Sequence, residues 1–361
     1  MARLDSFLRL VVEQRASDLH LPTGSPPIIR HNGELMRLPF RTLSAWECER
    51  LLLEVLTEQQ RESLRREKDL DLVYEVADVA RFRGSIFYQS NGIAAVFRVI
   101  PRRIPTLDEL LLPPAVKKLT KLGNGLVLVT GPTGSGKTTT MAAMIHEINR
   151  SSQRHIITIE DPIEFIHQPI RSVLSQREVG RHTESFASAL RSSLRESPDV
   201  LLIGEMRDLE TVSLAVSAAE TGVLVFGTLH TNSATKSIDR IIDTIPEEGQ
   251  EQIRATLSVI LRGVVAQQLA RRRSGEGRVA VLEILLQDVG VSHMIRENKL
   301  HLLDAHLQSA NPQQTGMQSN DRSLFDYVKD GVIEAEEALR CASDPELLRA
   351  RIEEIPGEET A

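Results

Sequence analysis

The sequence has only two cysteines, Cys48 and Cys341, in 361 residues. Two distant cysteines can form neither a disulfide framework nor a four-cysteine zinc site. No run of about 18 apolar residues occurs, so a transmembrane helix is not expected. The first fifteen residues carry acids and arginines among their apolar positions and lack the core of a signal peptide. These absences favour a cytoplasmic protein with two inert thiols.

Positive charge is not in excess, because 43 lysines and arginines accompany 50 aspartates and glutamates, a net charge of −7. This balance gives no general reason to expect binding to nucleic acid or to an anionic membrane. At about 150 residues per domain, the length predicts about two domains.

The apolar pattern changes along the chain and predicts four regions. Residues 1–101 mix short strand patterns with helices, as in a small α+β domain. The prolines in Pro101–Pro105 interrupt regular hydrogen bonding, so we place a linker at 102–115. Over 116–286, buried strands alternate with helices, which is typical of a mainly parallel sheet with helices on its faces. Residues 287–361 have only helical patterns. The sequence therefore predicts an α/β protein.

A glycine-rich segment follows the first apolar run of the second domain, Leu126–Val129, and opens a helical pattern. It fits G-x-x-x-x-G-K-[ST], a loop in which glycines let the backbone wrap phosphates at a helix N-terminus. We expect Lys137 to reach the β- and γ-phosphates and the Thr138 hydroxyl to ligate Mg²⁺. The segment reads Gly131-Pro132-Thr133-Gly134-Ser135-Gly136-Lys137-Thr138.

Carboxylates follow two other apolar runs. Glu160, Asp161 and Glu164 end the run Ile156–Ile159, and Glu205 follows Val200–Ile203. Because the carboxyl ends of parallel strands share one crevice with the phosphate loop, these acids are candidates to hold Mg²⁺ or to orient a water. Gly204 occupies the position of the usual Walker B acid. The metal and base roles are therefore left to Glu205, Glu160, Asp161 and Glu164.

His230 follows the strand pattern Leu224–Phe226. A histidine at such a place is often a capping or core residue. Beside a γ-phosphate it could instead sense hydrolysis through a hydrogen bond.

Arginines cluster in both domains. A two-residue loop at Asn91-Gly92 would pair Ser90 with Ile93 and place Arg83 opposite Ile100, with Arg81, Arg83 and Arg98 on one face. Neither strand of this hairpin carries an acid on that face. Arg191 and Arg195 are likewise four residues apart on a predicted helix, which is unfavourable unless an anion intervenes. Both groups are either solvated or directed at phosphate, in the same chain or in a neighbouring one.

These motifs together resemble the type IV pilus retraction ATPases of the secretion-ATPase superfamily, over nearly the whole chain. The matching segments are Ala16–Leu21, the phosphate loop Gly131–Thr139, Ile157–Glu164, Gln176–Gly180, Gly204–Asp208 and Thr228–Asn232. The resemblance implies a PAS-like first domain, a RecA-like second domain and a homohexameric ring that binds ATP, with Thr139 among the binding residues. It also implies that Arg83, Arg98, Arg191, Arg195 and Arg207 belong to the nucleotide site.

The function implied by the resemblance is ATP-driven disassembly of the pilus, and hence twitching motility. The motor would act at the cytoplasmic face of the inner membrane, through a platform protein and the pilin fibre, without nucleic acid. Two features depart from the family: residues 290–297 keep only the closing Ile-Arg-Glu of a segment implicated in retraction, and Arg15 replaces a usual glycine. Three alternatives remain open: an accessory retraction paralogue, a nucleotide-binding scaffold with weak hydrolysis, and a nucleic-acid translocase. An assembly ATPase is rejected, since the chain lacks a four-cysteine insertion and an additional N-terminal domain.

Overall fold

The computed structural model describes residues 2–31, 33–100 and 102–355. Met1, Asn32, Pro101 and residues 356–361 of the predicted regions lie outside these ranges. The chain divides into two compact units. The first contains residues 1–103 and 162–166, and the second contains 104–161 and 167–361. Residues 162–166 fall within the predicted second domain but group with the first unit.

The described residues of the first unit form a six-stranded sheet with three helices. The described strand pairs are all antiparallel, in the order β3-β2-β1-β6-β5-β4. Alternate side chains of the strands point to a core shared with the helices, around Leu8, Leu52 and Phe97. The elements are α1 (Arg3–Glu13), β1 (Asp18–Leu21), β2 (Ile28–His31), β3 (Glu34–Arg37), α2 (Ala45–Leu53), α3 (Glu58–Glu67), β4 (Asp69–Val76), β5 (Ala80–Gln89) and β6 (Gly92–Ile100).

Arg15 lies in the turn between α1 and β1 with a φ of 53°. This left-handed conformation crowds the Cβ of an L-residue and favours glycine. The unusual arginine at this position is therefore conformationally strained.

The second unit contains a seven-stranded sheet in the order β13-β12-β7-β11-β10-β8-β9. Only the pair β12–β13 is antiparallel among the described strands. The elements up to the last strand are α4 (Pro114–Leu119), β7 (Gly125–Thr130), α5 (Lys137–Ser151), β8 (His155–Glu160), β9 (Val173–Glu178), α6 (Phe186–Ser193), β10 (Val200–Ile203), α7 (Leu209–Glu220), β11 (Leu224–Leu229), α8 (Ala234–Thr244), α9 (Glu247–Ile260), β12 (Leu261–Arg271) and β13 (Arg278–Leu286).

Helices cover both faces of this sheet. In β7, Leu126 and Leu128 belong to the core shared with α7, α8 and α9, whereas Val127 and Val129 belong to the core shared with α4 and α5. Strands buried on both faces are apolar without interruption, which explains the short apolar runs in the sequence. The runs predicted β7, β8, β10 and β11. These runs do not predict the strands β9, β12 and β13.

Apart from an isolated bridge between Gln318 and Ile284 of β13, the described elements that follow the sheet are helices. They are α10 (Val289–Arg296), a 3₁₀ turn (Leu300–Leu302), α11 (Leu303–Ser309), α12 (Pro312–Thr315), α13 (Asn320–Lys329), α14 (Ala335–Cys341) and α15 (Pro345–Glu353). The last three helices pack through Leu324, Ala338 and Leu348 against Ala270, Val279 and Val281 of β12 and β13. Within the described residues, no helix is long and apolar enough to cross a membrane.

Candidate active site

Four neighbouring parallel strands of the second unit end at one edge of the sheet, in the order β7-β11-β10-β8. Each is followed by a segment that the sequence singled out. Registers place Ile203 beside Ile159 and Gly227, so Gly204 is level with Glu160 and Thr228. The phosphate loop follows β7 at the same edge. The fold therefore collects these segments as the predicted parallel sheet requires.

The phosphate loop, residues 131–138, depends on glycine at both of its ends. Gly131 has a φ of 146° and Gly136 a φ of 87°. A Cβ atom at Gly131 would lie 2.2 Å from the carbonyl oxygen of Gln267, where no side chain fits. Pro132, Thr133, Gly134 and Thr138 are exposed, and Ser135 is buried. The loop is thus an open backbone cradle at the start of α5, as phosphate binding requires.

Lys137 is the first residue of α5, and its side chain lies back along the loop. Its Nζ donates hydrogen bonds to the carbonyl oxygens of Gly131, at 2.6 Å, and Pro132, at 3.1 Å. Burial lowers the pKa of Lys137, and the negative charge of Glu205 partly offsets that effect. The cation and the carboxylate therefore interact electrostatically in the same site.

Glu205 follows β10 and is the carboxylate on which several groups converge. Its side chain is 18% exposed. Nε2 of His230 lies 2.9 Å from Oε1 of Glu205, and Arg207 donates to the same oxygen. The segment after β10 supplies the carboxylate of Glu205 and the guanidinium of Arg207, and the segment after β11 supplies the imidazole of His230.

Thr228, on β11, holds the backbone around Glu205. Its hydroxyl donates to the carbonyl oxygen of Gly204, and its own carbonyl accepts from the N–H of Met206 at 3.1 Å. The Met206 side chain is buried against Gly227, where a Cβ would lie 2.2 Å from its sulfur. Asp208 then caps α7 by accepting from the N–H of Thr211 at 2.8 Å. These contacts give Glu205 a rigid backbone.

Glu160 is oriented at the end of β8. Its Oε1 accepts from the Thr158 hydroxyl at 2.7 Å and from Nε2 of Gln176 at 3.2 Å. Asp161 comes next and interacts with the charge of Arg207. Within the described residues, no group of three or more histidine, cysteine, aspartate or glutamate side chains is arranged to hold a metal ion.

Glu164 lies in the first unit, unlike Glu160 and Asp161. Its Oε1 is 3.3 Å from Nη1 of Arg83, and its carbonyl oxygen accepts from Arg81 at 3.1 Å. The acids at 160–164, predicted as one cluster, are therefore divided between the two units.

The register predicted for the arginine hairpin is wrong. Gly92 begins β6 and pairs with Gln89, so that Ser90 and Asn91 form the turn. Arg83 consequently lies opposite Arg98 instead of Ile100. Because each pairing shifts by an even number of residues, the arginines stay on one face.

Neither strand of the hairpin carries an acid, but other elements supply acids to this face. Asp18 on β1 lies opposite Arg98 on β6. Nε of Arg98 donates a hydrogen bond to Oδ1 of Asp18 at 2.8 Å. Glu164 contacts Arg83, as described above. Adjacent strands and a distant segment neutralise charges that the hairpin alone leaves unbalanced.

Arg191, predicted to be solvated or directed at phosphate, also has an acidic partner within the chain. Arg191 forms an ion pair with Glu210 in the first turn of α7. Arg195 lies beyond the end of α6, and its Nη1 donates to the carbonyl oxygen of Arg191 at 3.0 Å. The anion beside Arg191 is thus a side chain from the next helix.

Gln267 on β12 contacts the phosphate loop but belongs to none of the predicted motifs. Its Nε2 donates to the carbonyl oxygen of Ser135 at 2.6 Å, and its Oε1 accepts from the Thr140 hydroxyl at 2.8 Å. No local sequence signal indicates it, since its position depends on the pairing of β12 with β7. In contrast, Asp18 and Gln176 lie within segments that were singled out by resemblance.

Comparisons with known proteins identify the family of this chain. Residues 2–340 match the family described as Type II/IV secretion system protein. The type IV pilus retractation ATPase PilT of Pseudomonas aeruginosa is 44% identical over 343 residues, 95% of this chain and 99% of that protein. The type IV pilus ATPase PilU of the same organism is 41% identical over 348 residues, 96% of this chain and 91% of that protein.

A crystal structure of the pilus retraction motor PilT with bound ADP has a TM-score of 0.88 to this chain, at 43% identity. The match covers 97% of this chain and 99% of that one. The predicted fold class, a small α+β domain before a phosphate-loop α/β domain, is confirmed, as is the resemblance to the retraction ATPases. The chain therefore belongs to the family of type II/IV secretion system proteins.

Proposed function

We propose that this protein is an ATP-hydrolysing motor that drives retraction of a type IV pilus. One observation carries the enzymatic part of this proposal. Glu205, with His230 and Arg207 at its carboxylate, shares a sheet edge with the phosphate loop and interacts electrostatically with Lys137. Relatives named retraction ATPase and pilus retraction motor support the cellular role.

In this proposal, residues 131–139 bind the phosphates of ATP. The N–H groups of the loop and of the first turn of α5 donate to phosphate oxygens. Lys137 leaves the carbonyls of Gly131 and Pro132 and neutralises the β- and γ-phosphates. The side chain thus exchanges backbone partners for the nucleotide.

The donor set at this edge suits Mg²⁺, because the candidates Thr138, Glu160, Asp161 and Glu205 all offer hard oxygen atoms. When bound, Mg²⁺ would neutralise charge that develops on the phosphates. Thr138 is the proposed direct ligand. Thr158 and Gln176 orient the Glu160 carboxylate, which fits a role in holding waters around the ion.

Glu205 is the proposed base for the attacking water. Its backbone is held by Thr228, so its carboxylate has a defined position. His230 and Arg207 contact Oε1 of the carboxylate, so Oε2 is the proposed acceptor of the proton from the water. His230 is the proposed sensor of the γ-phosphate, acting through the carboxylate that it contacts.

Arg83, Arg98, Arg191, Arg195 and Arg207 are the proposed cationic groups of phosphoryl transfer. Arg83 and Arg191 would first have to leave Glu164 and Glu210, their present acidic partners. Arginines of the first unit would act on the nucleotide of their own chain or of a neighbour in a homohexamer. Glu164 is then a resting partner of Arg83 rather than a metal ligand.

The proposed partners are further copies of the chain, a platform protein of the inner membrane and, through it, the pilin fibre. The proposed location is the cytoplasmic face of that membrane. No nucleic acid is required.

Steady-state ATPase turnover of the purified chain tests the enzymatic proposal, with Glu205→Gln as the decisive variant. We expect Glu205→Gln to bind ATP normally and to lose turnover by about 10²-fold or more, as for a lost general base. Glu220→Gln, at an exposed position of α7, is the matched control and should keep wild-type turnover. Combined loss of ATP affinity and turnover would make Glu205 a metal ligand instead. Wild-type turnover no higher than that of Glu205→Gln would favour a scaffold, and stimulation by DNA would favour a translocase.

A second candidate function is that of an accessory retraction ATPase. This candidate is supported by similar identities, 44% to the relative named retractation ATPase and 41% to the relative named pilus ATPase. Pilus dynamics should be recorded in a strain in which this chain is the sole retraction ATPase. Retracting fibres would identify the main motor, whereas static fibres that retract once another retraction ATPase is restored would identify the accessory protein.

A further inference from the structure

Gln267 is buried beneath the phosphate loop, with 4% of its surface exposed. Its amide uses both ends: Nε2 donates to the carbonyl oxygen of Ser135, and Oε1 accepts from the hydroxyl of Thr140. One contact lies in the loop and the other in the first turn of α5. A single side chain therefore joins the loop to the helix that it opens.

The backbone of Gln267 supports the opposite end of the loop. Strand β12 runs parallel to β7 with Ala266 beside Thr130, so the next residue of each strand, Gln267 and Gly131, also come together. A Cβ at Gly131 would lie 2.2 Å from the carbonyl oxygen of Gln267, and a Cβ at Gly136 would lie 2.8 Å from its Nε2. The loop thus rests on Gln267 at its beginning and at its end.

We propose that Gln267 is a positioning residue for the nucleotide phosphates. A loop with three glycines has high conformational freedom, which would have to be lost when phosphates bind. By holding the Ser135 carbonyl, Gln267 orders the 135–137 backbone beforehand, so that its N–H groups already face the phosphates and affinity rises. This inference rests on the proposed function.

The neighbouring Gln268 provides a matched control. Its Nε2 donates to Oδ1 of Asn320, at 2.7 Å, and to the carbonyl oxygen of Cys341, at 2.8 Å. Both contacts tie β12 to the C-terminal helices rather than to the phosphate loop. Gln267→Met and Gln268→Met remove equivalent numbers of side-chain hydrogen bonds at adjacent positions.

The test measures ADP affinity by calorimetry, KM and kcat for ATP, and the unfolding temperature of the full-length chain. We expect Gln267→Met to raise the Kd for ADP and the KM for ATP by about tenfold, the effect of losing one or two hydrogen bonds. The kcat should change much less. Gln268→Met should lower the unfolding temperature but leave both nucleotide constants unchanged. An unchanged Kd in Gln267→Met, or an equal rise in both variants, would overturn the role of Gln267.

A milder pair of variants keeps the test valid if Gln267→Met does not fold. Thr140→Val removes one partner of Gln267, and Thr140→Ser retains the hydroxyl. We expect weaker ADP binding in Thr140→Val, with wild-type affinity in Thr140→Ser; identical affinities in the two would contradict the proposal. Failure of the wild-type chain to bind ADP would overturn the proposed function instead.

Discussion

Nε2 of His230 lies 2.9 Å from Oε1 of Glu205, although the two residues follow different strands, β11 and β10. The contact exists because these strands are parallel neighbours and end at the same level. It links the proposed base to the segment proposed to sense the γ-phosphate.

We expect His230→Ala to lower kcat by about 10- to 100-fold, less than the loss of a general base usually costs. The affinity for ADP should not change, because His230 contacts the carboxylate rather than the phosphate loop. His230→Gln can still donate a hydrogen bond to Glu205 and should recover part of the turnover. Steady-state kinetics and calorimetry separate the two parameters. Wild-type kcat in His230→Ala would reduce the histidine to a solvated side chain.

Lys137→Ala should lower ATP turnover by about 10³-fold or more, because phosphoryl transfer depends on charge stabilisation. The fold should survive, since Lys137 contacts only loop carbonyls by hydrogen bonding within the described residues. Lys121→Ala, at an exposed position, controls for the loss of a positive charge. Circular dichroism verifies folding. Near-normal turnover in folded Lys137→Ala would refute the phosphate role.

Arg83→Ala should keep nucleotide binding and lower turnover by about 10²-fold or more, within the range of arginines that serve phosphoryl transfer. Its present partners are Glu164, at 3.3 Å, and Asp71, at 3.9 Å. Arg102→Ala is the control, because it also removes an ion pair of an arginine, in this case with Glu75 at 4.0 Å. Unaltered turnover in Arg83→Ala would leave this arginine with only its ion pairs.

Mixing Arg83→Ala chains with Glu205→Gln chains tests where the arginine acts. If Arg83 acts on a neighbour's nucleotide, mixed rings should recover some ATPase activity at interfaces that combine an intact Glu205 with an intact Arg83. If it acts within its own chain, no mixture should exceed the activities of the separate variants.

Asp18 makes the free energy of unfolding dependent on pH in the acid range. Burial alone would raise its pKa, but hydrogen bonds from Ser17 and Arg98, together with the charge of Arg98, lower it below the ordinary 3.8. A lowered pKa means that stabilisation is complete above the ordinary value and is lost as pH falls through the lower, folded-state value.

We therefore expect Asp18→Asn to destabilise the chain by about 1 to 2 kcal/mol at pH 7, since the aspartate is buried while its partner Arg98 is mostly exposed. The difference from wild type should shrink below about pH 4, as Asp18 itself becomes protonated. Denaturant unfolding at several pH values measures it. A difference independent of pH would show that shape, not charge, matters at this position.

Arg15→Gly should stabilise the chain by up to about 1 kcal/mol, because glycine adopts the φ of 53° without the crowding of a Cβ. The gain is limited by the greater freedom of glycine in the unfolded chain. Arg15→Ala removes the same charge but retains the Cβ and should not gain stability. Equal unfolding temperatures for the glycine and alanine variants would contradict this explanation.

Local sequence signals were sufficient for the phosphate loop and for four parallel strands. The loop requires glycines, a lysine and a hydroxyl within eight residues, so its chemistry is contiguous in sequence. Strands buried on both faces must be apolar, which makes them visible as short runs. The acids and the histidine were then found because each follows such a run. The antiparallel pair β12–β13 has no comparable signal at its functional position, and Gln267 was missed with it.

Electrostatic partners were the least accessible from sequence. Strand alternation correctly predicts the arginine face, yet its acids come from β1, from β4 and from residues 162–166. The hairpin register was wrong by one step of two residues, because Gly92 enters the strand instead of the turn. Alternation preserves a face through such a shift but does not identify what lies opposite.

The sequence by itself determined the class of fold, the phosphate cradle and the residues able to carry ATP chemistry, because these depend on short-range periodicity and on side-chain type. Tertiary structure alone decided which polar groups meet: His230 with Glu205, Asp18 with Arg98, Glu210 with Arg191, and Gln267 with the loop. Such contacts depend on strand order, register and helix packing, which bring distant residues to within a few ångströms. No local pattern encodes those distances, since they result from the burial of the whole core.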